Sequence, residues 1–128
     1  VIIENNAFYK LGMAPVYISC DANNWYESGR VEDVVIRNNR FYNCQGNGVI
    51  FIEPIITESA EERTVHKNIR IEKNSFYLNQ NHAVDASSVD GLQIIDNEIH
   101  YSQKDQELYV MRACKNVQIE NNREYLEE

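Results

Sequence analysis

One pattern recurs five times along the chain: VIIENNAF (residues 1–8), VVIRNNRF (34–41), IRIEKNSF (69–76), LQIIDNEI (92–99) and VQIENNRE (117–124). The second polar position of the pattern is asparagine every time, at Asn6, Asn39, Asn74, Asn97 and Asn122, with spacings of 33, 35, 23 and 25 residues. The basic unit is therefore near 24 residues, enlarged in two copies. A unit this short cannot bury its own apolar face and has to stack on its neighbours, so the chain is a repeat architecture before anything else about it is considered.

Within each unit the apolar positions alternate with period two, which specifies strands rather than helices. Val1, Val34, Ile69, Leu92 and Val117 occupy one inward position and Ile3, Ile36, Ile71, Ile94 and Ile119 the next, while Glu4, Arg37, Glu72 and Glu120 face solvent. A second strand follows in each complete unit, with Val16, Ile50, Val84 and Leu108 aligned, and Ile18, Ile52, Ala86 and Val110 aligned after them. Short strands in register on a 24-residue turn predict an all-β, right-handed parallel β-helix, its coils spaced ~4.8 Å apart. The expected domain is single, spanning 1–128, with about five coils starting near 1, 34, 69, 92 and 117. The repeated asparagines are expected to stack amide on amide at a turn, with Phe8, Phe41, Phe76 and Ile99 stacking inside. Tyr9, Tyr42, Tyr77, His100 and Tyr125 make the next position aromatic in every coil, so His100 reads as a ladder member.

Composition narrows the partners. The formal charge of −8 and pI near 4.9, with no basic patch, disfavour nucleic acid and anionic membranes, and no apolar run is long enough to span a bilayer. Cys20, Cys44 and Cys114 are spaced like neither a zinc site nor a disulfide framework, so they read as small buried side chains; no metal or cofactor is expected. The chain starts and stops within the repeat, which predicts a piece of a longer solenoid, partnered by upstream coils and prone to end-to-end self-association.

Both enlarged units place their extra residues after the second strand, as CDANNWYESGRVED (20–33) and EPIITESAEERTVHKN (53–68), so the two loops are expected side by side on one rim. Beside them an outward strip aligns Tyr17, Phe51, Asp85 and Tyr109, and a second aligns Ser19, Glu53, Ser87 and Met111. Aromatic platforms flanked by carboxylates and amides suit sugars, which present C–H faces and many hydroxyls. Candidate sugar contacts are Trp25 or Tyr26 against a ring, with Asp21, Asn24 and Glu27 bonding hydroxyls, Glu53 from the neighbouring coil, and Tyr17 and Phe51 on the strip. The structural alternative is that Trp25 pins its loop to the solenoid and the aromatics only cover the sheet. His66 reads as a turn residue rather than an acid or base. Asp85 and Glu53 lie one coil apart and are the candidates for a catalytic pair, which otherwise stays unassigned.

The stretches DANNWYESG, VEDVVIRNNRFYNC, IFIEP, HKNIRIEKNSF and SVDGLQIIDNEI together resemble the C-terminal β-helix portion of glycoside hydrolase family 110, over residues 1 to 100. The resemblance implies a pectin-lyase-like solenoid from an exported bacterial enzyme, an inverting exo-α-1,3-galactosidase acting on α-galactosyl glycans. It also implies that the acid and base lie upstream, because the family's adjacent Asp-Asp pair has no counterpart here. Asp21, Trp25, Glu27 and Glu53 would then shape the sugar site without performing the chemistry, and the chain alone would be inactive. The competing reading is a non-catalytic carbohydrate-binding or adhesive β-helix. A uronate lyase or polygalacturonase matches less well, since the acidic strip suits an anionic substrate poorly and no calcium repeat is present.

Overall fold

The computed structural model describes residues 1–18, 32–46, 48–53 and 66–127, and among these the chain is built of strands with no helix. The first coil carries β1 (Ile2–Glu4), β2 (Ala7–Tyr9) and β3 (Val16–Ile18), and the second carries β4 (Glu32–Arg37), β5 (Arg40–Tyr42) and β6 (Gly48–Ile52). The third has β7 (His66–Glu72), β8 (Ser75–Tyr77) and β9 (His82–Ser87), the fourth β10 (Val89–Ile95), β11 (Glu98–Tyr101) and β12 (Tyr109–Arg112), and the last β13 (Lys115–Glu120) and β14 (Arg123–Leu126). Each strand pairs in parallel with its equivalent one coil away, giving the sheets β1-β4-β7-β10-β13, β2-β5-β8-β11-β14 and β3-β6-β9-β12. This is a parallel β-helix, as the repeat predicts.

Register follows from the apolar columns. Ile36, Ile71 and Ile94 pair in sequence, as do Val34, Ile69 and Leu92, and all six are buried. β4 and β7 begin at Glu32 and His66, so they extend into segments that sequence reasoning assigns wholly to insertions. Charge explains the extension in part: Glu32, Lys67, Asp90 and Lys115 pair across the sheet with alternating sign, an arrangement that stabilises cross-strand neighbours.

The corners are columns of left-handed residues. Asn5, Asn38, Lys73, Asp96 and Asn121, at φ of 54–60°, turn the chain between the first and second sheets. Asp33, Asn68 and Asn116 hold the same conformation early in the first-sheet strands, where the fourth coil uses Gly91. Asparagine and aspartate tolerate this region better than other side-chain-bearing residues, so the doubled asparagine divides its labour. The first residue turns the chain and the second ties coils together. Asn39 Nδ2 donates to Asn74 Oδ1 at 3.1 Å and to the Ile3 carbonyl at 3.0 Å, and Asn74 Nδ2 donates to Asn97 Oδ1 at 3.1 Å and to the Ile36 carbonyl at 2.9 Å. The chain of amides runs from Asn6 to Asn122. Next to it Phe8, Phe41 and Phe76 stack inside at 5.0–5.2 Å, while Tyr9, Tyr42, Tyr77, His100 and Tyr125 stack outside at 4.6–5.0 Å. Glu98 and Glu127 flank the His100 imidazole.

Candidate functional site

The outward side of the third sheet departs most from the repeat. Its central column reads Tyr17, Phe51, Asp85, Val110. Tyr17 is half exposed and meets Phe51 edge to face at 5.5 Å, a favourable aromatic geometry. The two rings line a groove of about 390 Å³ together with Gly12, Met13, Ala14 and Gly46. Gly46 is required there: its φ is 104°, and a Cβ would stand 2.9 Å from the Ala14 amide nitrogen.

Asp85 continues the column but is only 3% exposed. Arg112 Nη1 donates to its Oδ1 at 2.8 Å, while most of the arginine side chain stays in solvent. Asp85 is seated closely because Gly48 lacks a side chain; a Cβ at that position would lie 2.7 Å from the Asp85 nitrogen and 2.8 Å from its Cβ. Glu53 is partly buried, and its amide donates to the Ile18 carbonyl at 2.9 Å. Its carbonyl accepts a hydrogen bond from His66 Nε2 at 3.1 Å, which fixes the proton on that nitrogen.

His66 is fully buried as the first residue of β7, where it pairs with Val89, so it is a strand residue and not a turn residue. Burial lowers its pKa from the ordinary 6.5 and the hydrogen bond to the Glu53 carbonyl opposes this in part. The imidazole is a neutral internal strut under the Glu53 backbone.

The fourth coil also departs from the expected register. Tyr109, rather than Leu108, pairs with Val84, and Met111, rather than Val110, pairs with Ala86. The Leu108 carbonyl accepts from both the Ala83 and Val84 amides, at 2.9 and 3.2 Å, so one extra residue is absorbed at the entry to β12. The shift removes Tyr109 from the outward strip and turns it toward the core. There its hydroxyl is enclosed and burial raises its pKa. The same shift puts Arg112, rather than Met111, beside Ser87.

Sequence reasoning therefore misses Arg112, Gly48 and the burial of His66. A correct register in the fourth coil would have exposed the first of these. Among the expected sugar contacts, Tyr17 and Phe51 share one groove, and Glu53 follows Phe51 by two residues on the same outward side. Asp21, Asn24, Trp25, Tyr26 and Glu27 lie outside the described residues, as do Cys20 and most of both insertions.

No family model matches the chain. It is similar to the α-1,3-galactosidase A of Bacteroides thetaiotaomicron, 41% identical over 95% of this chain and 22% of the relative. It is also similar to the α-1,3-galactosidase B of the same species, 41% identical over 96% of this chain and 22% of the relative. The α-1,3-galactosidase A of Bacteroides fragilis is 45% identical over 77% of this chain and 17% of its own length. The chain thus spans about a fifth of the length of these curated relatives.

Proposed function

We propose that the chain is a segment of a longer, secreted α-1,3-galactosidase of glycoside hydrolase family 110 and that it walls the galactoside site of that enzyme. The observation that carries this reading is the 41–45% identity to proteins named α-1,3-galactosidase over most of the chain. The third sheet's outward face supplies what such a wall needs. Tyr17 and Phe51 offer apolar surface for the C–H face of a pyranose, and the fixed Asp85–Arg112 pair offers polar groups for hydroxyls. Asp21, Asn24, Trp25, Tyr26, Glu27 and Glu53 complete the wall in this reading, and the acid and base belong to coils that precede it.

Glu53 and Asp85 are the carboxylates within this chain to weigh as an alternative pair. Their register places the two Cα atoms about 8 Å apart by strand geometry, and inverting hydrolysis needs carboxyl groups roughly 6.5–9.5 Å apart. Asp85 Oδ1, however, is held by Arg112, and the residue is only 3% exposed, which leaves little of this carboxylate open to sugar or water.

A proton NMR time course with an α-1,3-linked galactose disaccharide tests the proposal. The expected result is substrate line broadening without release of galactose, reduced in Tyr17→Ala and abolished in Trp25→Ala. Galactose release by this chain would show that the acid and base are here and sink the wall reading. Absence of broadening would remove the sugar from this face.

A further inference from the structure

The first sheet carries a second column of left-handed residues, and it is broken once. Asp33, Asn68 and Asn116 hold that conformation early in β4, β7 and β13, while β10 places Gly91 there. Where the side chains are present they form rungs: Asn68 Nδ2 donates to Asp33 Oδ1 at 3.0 Å. At Gly91 the next rung is missing. Asn68 Oδ1 faces the gap, 3.2 Å from where a Cβ on Gly91 would stand, and Asn116 turns aside to donate to Asp90 Oδ1 at 2.7 Å.

The gap opens into a cleft of about 240 Å³ on the outward side of the sheet. Its other wall is the outward column Val35, Arg70 and Gln93, in register across β4, β7 and β10. Arg70 Nε pairs with Glu72 at 3.0 Å, so the guanidinium charge is balanced while its Nη groups keep their donor capacity.

The lining decides what fits. Asp33 is the one carboxylate in the cleft and already accepts from Asn68, and among the described residues no group of three His, Cys, Asp or Glu could hold a metal. A divalent cation lacks its oxygen ligands here. An anion would meet Asp33 beside an arginine that Glu72 has neutralised. A neutral ligand with many hydroxyls and a small apolar face matches every wall: acceptors at Asp33 and Asn68, donors at Arg70 and Gln93, and Val35 for C–H contact. We propose that this cleft is a pyranose-binding site on the first sheet, separate from the groove of Tyr17 and Phe51 on the third. Gly91 creates it by omitting a rung. The inference does not rest on the galactosidase reading, since none of these residues belongs to the third-sheet face.

Nitrogen-15 correlation spectra of the full chain, titrated with galactose, glucose and mannose in turn, test it. At least one sugar is expected to move the Gly91 backbone amide and the Asn68 side-chain amide saturably, at about millimolar concentration. Gly91→Asn supplies the residue type that two other coils hold in this conformation, so it fills the cleft on a backbone that tolerates it. It is expected to weaken binding, followed at Asn68, at least about tenfold. Arg70→Ala on the exposed strand surface is expected to do the same, and Tyr17→Ala to leave these shifts unchanged. If Gly91→Asn loses its folded spectrum, Arg70→Ala carries the comparison. The proposal is overturned when none of the three sugars moves either amide, when binding is undiminished in the folded variants, or when sulfate or calcium moves these amides and the sugars do not. Shifts confined to the amides of Tyr17 and Phe51 would support the galactoside wall and overturn this second site.

Discussion

The asparagine corner and the outward face of the third sheet are made by the same coils, yet they use the repeat in opposite ways. At the corner every coil supplies the same residue, because each amide bonds to its equivalent in the next coil and a substitution in one would orphan groups in two. On the face the equivalent positions are Tyr17, Phe51, Asp85 and Val110, and no bond requires them to match. Uniformity marks where coils must hold each other, and variety marks where they are free to meet something else. The exception on the face is Asp85, fixed by Arg112 above it and by the missing side chain of Gly48 beside it.

The corner should respond most strongly to mutation. Asn74→Ala leaves the Asn39 amide and the Ile36 carbonyl buried without their partners, at a cost of about 3 kcal/mol or more. Asn6→Ala, at the exposed end, should cost about 1 kcal/mol. Urea unfolding of both would decide this, and equal losses would mean that the corner is no more critical in the middle than at the end. On the face, Gly48→Ala drives a methyl group into the Asp85 backbone and should cost about 2 kcal/mol by overpacking. A neutral effect would show that the third sheet has room to spare.

Under the face, His66 sets a pH dependence. Its folded pKa lies below the ordinary 6.5, so the unfolded chain takes up the proton first. Its contribution is fully present above 6.5 and is lost as pH falls below that value toward the folded pKa, at no more than about 1.4 kcal/mol per pH unit. His66→Gln, which keeps a donor for the Glu53 carbonyl without titrating, should flatten the stability curve between pH 8 and 5 relative to wild type. An unchanged slope would assign the dependence to other groups. The smallest effect is expected for Asp85→Asn. It keeps an acceptor for Arg112, whose guanidinium is largely solvated, and so should cost about 0.5 kcal/mol. Two kcal/mol or more would mean that the pair carries structure as well as surface chemistry.

The legibility of the fold tracks the same contrast. Sheets one and two could be read residue by residue, because Ile3, Ile36, Ile71, Ile94 and Ile119 leave a single register that keeps all five in one column, its three middle members fully buried. In the fourth coil the stretch Leu108 to Met111 satisfies period-two alternation in either phase, since all four side chains are apolar or aromatic. Only the shared Leu108 carbonyl and the Asp85–Arg112 bond decide between the phases. His66 aligns with Val89 of the fourth coil, a pairing that lies ahead of the recognised repeat and so left the histidine assigned to the insertion. Its role depends on a hydrogen bond to the backbone of Glu53, which no side-chain pattern announces. Gly48 carries no side-chain pattern to read, and its place in β6 is set by how closely β9 approaches it.

The corner asparagines of the three middle coils reach in both directions. Asn39 bonds to Ile3 in the coil before and to Asn74 in the coil after, Asn74 to Ile36 and Asn97, and Asn97 to Ile71 and Asn122. An end coil therefore cannot peel away by breaking one interface. Lifting the last coil also strips the Asn97 amide of its acceptor, which loosens the clasp on the third coil. Opening should spread inward in overlapping steps of two coils. The slowest hydrogen exchange should fall at the backbone amide of Asn74, the link farthest from both fraying ends.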